Sequence, residues 1–339
     1  MNVKEGVLQL LQENPGPVSG EEIAEKLGIC RNSVWKAVGK LRQAGYVIEA
    51  STNKGYRLVS ESAVLSGENI RRHLGPQAQG VAIQIRDTVT STNTVVKELA
   101  EQGGREGMVV IAEHQVQGKG RLGRSFYSPR TSGLYMSILL RPSFSPEKSL
   151  SITTAAAVAT AQAIDRVTGE LAKIKWVNDV YLRDRKVCGI LTEASLDFES
   201  GGLNYAVLGI GVNIQEPPGG FPGEVREIAG AIFQKNPPAG TRSRLAAEIL
   251  NHFFDYYHQL PQRTFMTEYR LRSLLTGMDI TFRQGGSTWD GRVLGVDEEA
   301  RLVVRLEDGK EKRFSAGEVA IIKKDFIEKL RTKREGVTP

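Results

Sequence analysis

A buried-strand pattern at Met108–Ala112 runs directly into Glu113-His114-Gln115-Val116-Gln117-Gly118-Lys119-Gly120-Arg121-Leu122-Gly123-Arg124, and this junction restricts the fold more than any other segment. The spacing contains a formal G-x-G-x-x-G. A dinucleotide-binding fold would open a helix there and place an acid about 20 residues on. Here Ser125-Phe126-Tyr127-Ser128-Pro129-Arg130 follows, which cannot open a helix, and the position for the acid falls in the apolar run Ser137-Ile138-Leu139-Leu140. No G-x-x-x-x-G-K-[ST] is present either. Rossmann and P-loop folds are thereby set aside. What remains is a glycine-rich loop bearing Lys119, Arg121 and Arg124. Glycine lets backbone amides approach an anion, and arginine offers a planar fork to two oxygens. A loop that orders over a bound anion acts as a lid; an exposed basic loop is the other reading.

Further segments carry polar groups inside strand-like runs. Lys173–Leu182 reads as one strand holding Trp176, Asn178 and Asp179, followed by a turn at Arg183–Lys186 and a return strand Val187–Glu193. Lys186 therefore starts the second strand of a hairpin, at a sheet end where it reaches a cleft. Asn178 and Asp179 suit metal or nucleotide contacts. In Val207–Ile214, alternate glycines admit a flat ligand against the strand, and Asn213 offers an amide able to read an adenine edge. Upstream, Ile83–Ile85 reads as a strand and Thr94, Val95, Val96, Leu99 and Ala100 as a helix. Ser91 or Thr92 capping that helix is the preferred reading. The same cluster, with Asn93, could instead hold a polar ligand head. Each piece alone is also compatible with ordinary sheet structure.

The N-terminal residues follow a different pattern. Val7, Leu8, Leu10 and Leu11 share a helical face that stops at Asn14-Pro15-Gly16. Ser19 and Glu22 form a capping-box pair, and Gly28 ends the second helix. A third helix starts near Cys30, with Val34, Val38 and Leu41 on its buried face and Asn32, Ser33, Lys36 and Lys40 opposite. Tyr46-Val47-Ile48 and Tyr56-Arg57-Leu58 then pair through Asn53-Lys54-Gly55. Helix, capped helix, four-residue turn, helix and hairpin make a winged helix-turn-helix. Residues 31–57 carry six Lys and Arg against Glu49 alone, a patch that suits a phosphate backbone. Arg31, Asn32, Ser33 and Lys36 are the candidates for base or phosphate contact, with Lys54 and Arg57 on the wing.

From Met278 onward, short strand-like runs alternate with the turn signals Gly285-Gly286 and Asp308-Gly309, as in a small SH3-like barrel. Apolar residues at 40% and charged residues at 25% exclude wholesale disorder. No run approaches the ~18 apolar residues of a membrane span. Two cysteines, Cys30 and Cys188, cannot frame a disulfide fold and read as reduced and buried, and the four histidines make no metal-ligand spacing. These features indicate a cytoplasmic α+β multidomain chain without a membrane partner. Its parts are a winged helix at 1–60, a linker at 61–80, a mixed α/β domain at 81–275, a small barrel at 276–323, and a basic tail at 324–339 that forms a fraying helix.

Four separated motifs in order give a resemblance that covers essentially the whole chain. They are Ser91-Thr92-Asn93; the Gly118–Arg124 loop; Lys175-Trp176-Val177-Asn178-Asp179 with Asp184–Leu191; and Gly209-Ile210-Gly211-Val212-Asn213-Ile214. The sequence resembles the bacterial bifunctional biotin–protein ligases that also repress the biotin operon. The resemblance implies a class II aminoacyl-tRNA-synthetase-like central domain and a two-step reaction. Biotin carboxylate attacks the α-phosphorus of ATP to give biotinyl-5′-adenylate, and a lysine of a biotin carboxyl carrier protein then takes the acyl group.

By the same resemblance, Ser91, Thr92, Asn93, Gln115, Lys119, Gly120, Arg121 and Lys186 contact biotin or its adenylate, with Lys186 and Arg121 catalytic. Lys119, Arg121, Arg124, Phe126, Trp176, Asn178 and Asn213 face ATP, and Asp179 is the Mg²⁺ ligand. An adenylate-bound homodimer reads operator DNA. Two positions depart from the family pattern: Lys119 replaces an arginine, which loses the two-pronged fork, and Phe126 stands where an indole often covers the adenine. Three alternatives accompany this reading: a ligase without repression, a lipoate-type ligase, and a ligand-sensing transcription factor without catalysis.

Overall fold

The computed structural model describes residues 3–14, 16–43, 46–51, 54–60, 64–142, 149–196, 202–284, 287–315 and 320–321. Asn53, the Gly285-Gly286 turn and the tail at 324–339 lie outside the described residues. The chain divides into two compact units, one of residues 1–72 with 238–244, the other of residues 73–237 with 245–339.

In the first unit α1 (Val3–Glu13), α2 (Gly20–Leu27) and α3 (Arg31–Gln43) precede an antiparallel hairpin of β1 (Val47–Ser51) and β2 (Gly55–Ser60). The capping signals act as expected. Ser19 Oγ accepts from Glu22 N at 3.0 Å, and Gly28 ends α2 at φ 64°. The turn between α2 and α3 is three residues rather than four. Val7, Leu8, Leu11, Ile23, Val34, Val38 and Leu41 close one apolar core. The expected linker holds a short helix, α4 (Gly67–Arg71), capped by Ser66. Cys30 is a correction: it is exposed at the start of α3, with Sγ 3.1 Å from Ser33 Oγ.

The second unit is built on a seven-stranded sheet of order β3-β4-β5-β9-β8-β7-β6. Its strands are β3 (Ala82–Val89), β4 (Met108–Gln115), β5 (Gly133–Leu140), β6 (Lys173–Lys175), β7 (Asp179–Leu182), β8 (Arg185–Leu196) and β9 (Leu203–Asn213). Among the described strands of this sheet, β3 and β4 alone pair in parallel. The helix α5 (Thr92–Glu101) packs Val96 and Ala100 on Leu139 and Val207. The helix α6 (Ser149–Thr168) lies on the opposite face, where Thr153 meets Thr192 at 2.7 Å. Successive strand residues point to opposite faces. The register Ser137↔Gly209 and Gly189↔Gly211 therefore puts those four positions on the α5 face.

Lys173–Leu182 is not one strand. The chain reverses at Trp176–Asn178, where the Trp176–Val177 peptide is cis, so β6 and β7 pair antiparallel. The helices α7 (Thr241–His258) and α8 (Met266–Leu271) follow. The chain then forms a five-stranded antiparallel sheet of β10 (Asp279–Gln284), β11 (Ser287–Val296), β12 (Leu302–Leu306), β13 (Glu311–Phe314) and β14 (Ala320–Ile321). The buried rings of Phe282 and Phe314 meet edge-on, with centroids 4.9 Å apart.

Candidate active site and nucleic-acid interface

A cavity of about 800 Å³ opens on the α5 face of the large sheet. Every site residue expected in the second unit lines it: Ser91, Thr92, Asn93, Gln115, Lys119, Gly120, Arg121, Arg124, Phe126, Trp176, Asn178, Asp179, Lys186 and Asn213. Arg121 and Lys186, on elements more than sixty residues apart, therefore serve one cavity.

Its floor is set by two glycines of β9. A Cβ on Gly209 would lie 2.2 Å from Asn93 Oδ1, and one on Gly211 would lie 2.6 Å from the Phe126 ring. These glycines make room for the protein's own side chains, where the sequence suggested a flat ligand. Phe126 also meets Tyr135 edge-on.

Lys186 reaches the cavity through a β-bulge. The ladder pairs Val180 with Cys188 but Tyr181 with Lys186, skipping Val187. The skip turns Val187 into the core and Lys186 onto the face of Asp179. Lys186 Nζ is 2.6 Å from Asp179 Oδ1. The turn residues Arg183 and Asp184 both have positive φ, at 50° and 58°, the geometry of a tight hairpin.

The cationic loop folds back on itself. Gly120 N donates to Arg124 O at 2.7 Å, and Phe126 N to Gly118 O at 2.8 Å. Arg121 donates to Asn178 Oδ1 at 3.0 Å. Burial lowers the Arg121 guanidinium from its ordinary value, partly offset by the charge of Asp179.

Ser91 does not cap α5. Its side chain makes no cap hydrogen bond, although the residue occupies the N-cap position and is buried. The Thr92 hydroxyl turns to Ser137 and Gln115 instead, so the expected side-chain cap is not formed. Trp176 and Asn213 have their polar groups engaged within the chain, Trp176 Nε1 on Ala300 O at 2.9 Å and Asn213 Nδ2 on Gly230 O at 3.1 Å. Cys188 is fully buried, and burial raises its thiol.

Sequence reasoning missed several contributors. Phe221, Val225 and Ile228 bring the segment after β9 to the cavity, and Arg283 brings β10. Ser137, Glu193 and Lys97 lie behind it, and each reads as an ordinary strand or helix residue in sequence. The hydrogen bond from Asn93 Nδ2 to Glu193 Oε2 at 2.7 Å reveals them only in three dimensions.

In the first unit Arg31, Asn32 and Lys36 are exposed on α3, and Ser33 is half-buried. Trp35 shares that face at 64% exposure, a residue the sequence reading left out. Lys54 is exposed on the wing, whereas Arg57 is paired with Glu49 at 2.8 Å.

Residues 85–213 match the Biotin/lipoate A/B protein ligase family, residues 4–57 an HTH domain and residues 277–321 the Biotin protein ligase C terminal domain. The fold and cavity are thus those of a protein ligase joined to a helix-turn-helix. The Bifunctional ligase/repressor BirA of Bacillus subtilis is 34% identical over 303 residues, 88% of this chain and 92% of that protein. Its counterpart from Escherichia coli is 25% identical over 89% of this chain and 92% of that protein. Biotin protein ligase from Aquifex aeolicus, in complex with biotin and ATP, superposes with a TM-score of 0.58 at 24% identity, covering 71% of this chain and 98% of that one, and shows the fold. This chain belongs to the bifunctional ligase/repressor BirA family.

Proposed function

We propose that the chain is an ATP-dependent biotin–protein ligase that also represses transcription. One observation carries the enzymatic reading: Lys186 and the cationic loop, far apart in sequence, line a single cavity large enough for an acid and a nucleotide. A carboxylate attacking a phosphoryl group brings two anions together, so the site must supply positive charge where they meet. Lys186 leaves Asp179 for the biotin carboxylate and the α-phosphate. Arg121 and Lys119 neutralise the phosphate from the other side. The carboxylate oxygen bonds to the α-phosphorus, and pyrophosphate leaves with the bridging electrons. The amine of a carrier lysine then attacks the acyl carbon, AMP departs, and the amine's proton goes to solvent. The loop over the mixed anhydride excludes water between the steps.

Mg²⁺ enters as part of the substrate, MgATP. Among the described residues no group of three or more His, Cys, Asp or Glu is placed to hold a resident metal. Asp179 Oδ1 is buried and takes no donor but the Lys186 ammonium. A single carboxylate beside substrate phosphates is the usual Mg²⁺ arrangement, and Asp179 fits it once Lys186 has moved.

The central domain at 81–275 is read as class II synthetase-like and the sheet at 276–323 as an SH3-like barrel, with the DNA-binding domain at 1–60 and a linker at 61–80. Among the described residues no helix is long and apolar enough to cross a membrane, in keeping with a cytoplasmic enzyme acting on a biotin carboxyl carrier protein. The α3 residues Arg31, Asn32, Ser33 and Lys36 enter the operator's major groove, and Lys54 and Arg57 of the wing lie near phosphate. Two copies, joined when the adenylate is bound, read two half-sites.

The test is a competition between biotin and lipoate for a carrier domain in the presence of MgATP. The expected product is the biotinylated carrier with stoichiometric pyrophosphate release. Lipoylation in preference to biotinylation, or no pyrophosphate release with either acid, overturns the reading.

A further inference from the structure

We propose that Trp35 and Gly39 form an apolar notch on α3 that reads the methyl group of thymine, and so set part of the DNA sequence preference. The inference rests on the repressor reading and adds to it two residues outside the polar and cationic set assigned there.

Two features of α3 cost the fold and serve nothing inside it. Trp35 leaves 64% of its surface exposed, which forgoes the burial an indole ordinarily contributes. Gly39 lies in the interior of the helix, Arg31–Gln43, where glycine is among the least favourable residues. Its φ is not positive, and a Cβ built on it would meet nothing within 4 Å. Neither backbone conformation nor packing within the protein calls for a glycine there.

Both residues share one stripe. Asn32, Trp35, Lys36, Gly39 and Gln43 recur at i, i+3, i+4, i+7 and i+11, and all are exposed. Val34, Ala37, Val38 and Leu41 are buried on the other side. The helix carries Arg31, Lys36, Lys40 and Arg42 and no Asp or Glu. That charge suits a polyanion. Residues 4–57 match an HTH domain, and the second helix of that motif lies in the major groove. The stripe thus meets base edges.

Base edges in that groove carry donors, acceptors and one apolar group, the C5 methyl of thymine. An indole has a single N–H and is otherwise apolar, so the methyl is its match. Side chains on a helix lean toward its N-terminus. The Trp35 ring therefore leaves the space above Gly39 open, in keeping with the empty surroundings of that position. The indole forms the wall of a notch and the helix backbone at Gly39 its floor. Glycine is the residue that lets a ligand come this close to the backbone.

The experiment uses the full chain with biotin and MgATP. Fluorescence anisotropy measures binding to the duplex that wild type selects from a random pool, and to the same duplex with deoxyuridine for every thymidine, which removes only methyl groups. Wild type should bind the uracil duplex about fourfold more weakly for each methyl contacted, the scale of one buried methyl group. Trp35→Ala should bind both duplexes alike, near the wild-type affinity for the uracil form. Gly39→Ala fills the notch and should also lose the preference, while hydrogen exchange across α3 slows because alanine is the better helix former. Weaker binding by a better-formed helix cannot be a folding defect. Wild type that binds both duplexes equally, or either variant that keeps the wild-type preference, overturns the proposal. A Trp35→Ala protein that keeps the preference but no longer self-associates in sedimentation assigns the face to a contact between copies and overturns it as well. Wild type that selects no sequence from the pool overturns instead the repressor reading beneath it.

Discussion

Lys186 Nζ rests 2.6 Å from Asp179 Oδ1 because the β7–β8 ladder skips Val187. The pair neutralises a half-buried carboxylate in the cavity lining, and in the proposed reaction it stands where the two anions meet. Removing one preorganised charge contact commonly costs about 10²–10³ in rate. Lys186→Ala should lose that much biotin-dependent ATP–pyrophosphate exchange. An unaltered exchange rate would remove Lys186 from the chemistry.

Arg121 and Asn178 act together. Arg121 donates to Asn178 Oδ1, and Asn178 Nδ2 donates to Ile190 O at 2.8 Å, which ties the loop to β8. Arg121→Ala and Asn178→Ala should each raise the ATP KM. The double variant should cost no more than Arg121→Ala alone, because residues in one network are not additive. Strict additivity would show that the bond does not set the loop's position.

Gly211 is required by Phe126. Gly211→Ala would drive a methyl to 2.6 Å from the ring, and overpacking of this kind costs about 1–3 kcal/mol. Urea unfolding should show that loss in Gly211→Ala and recover part of it in Phe126→Ala/Gly211→Ala. A double variant weaker than both singles would mean that the ring is not what the glycine accommodates.

Asp87 and Arg130 link the end of β3 to the segment leaving the cationic loop, with contacts of 2.5 and 2.6 Å. The Arg130 hydrogen bond outweighs a slight desolvation and lowers the Asp87 carboxyl from 3.8 to about 2. A depressed folded-state value stabilises the fold above 3.8, and that contribution fades as pH falls from 3.8 toward 2. Carboxyl NMR should find Asp87 titrating near 2 in wild type and near 3.8 in Arg130→Ala. Both are exposed, so the change in global stability should be small.

On α3, Lys36 is exposed. In fluorescence anisotropy with duplex DNA selected from a random pool, Lys36→Ala should weaken binding and reduce the salt slope by about one ion. Arg57→Ala should do less, since Glu49 already neutralises that guanidinium. A larger effect at Arg57 than at Lys36 would reverse the assigned roles of helix and wing.

Much of this was legible along the chain. The caps at Ser19 and Gly28, the buried face of α3 and the absence of a helix after Gly123 are local, so near neighbours decide them. What escaped was non-local. The bulge that turns Lys186 inward depends on ladder register. The reversal at Trp176–Asn178 hides inside a strand-like run, Lys173–Leu182. Gly209 and Gly211 seemed open to ligand until Asn93 and Phe126 were placed on them. Ser91 reads as a cap because it stands at the N-cap position of α5, and only the structure shows that its side chain makes no cap hydrogen bond.

A crystal structure with biotin and a non-hydrolysable ATP analogue decides whether both cations hold one activated acid. Lys186 Nζ should leave Asp179 and lie within about 3.2 Å of a biotin carboxylate oxygen, with Arg121 on the α-phosphate in the same cavity. Lys186 still seated on Asp179, with the ligands bound elsewhere, would refute the assignment.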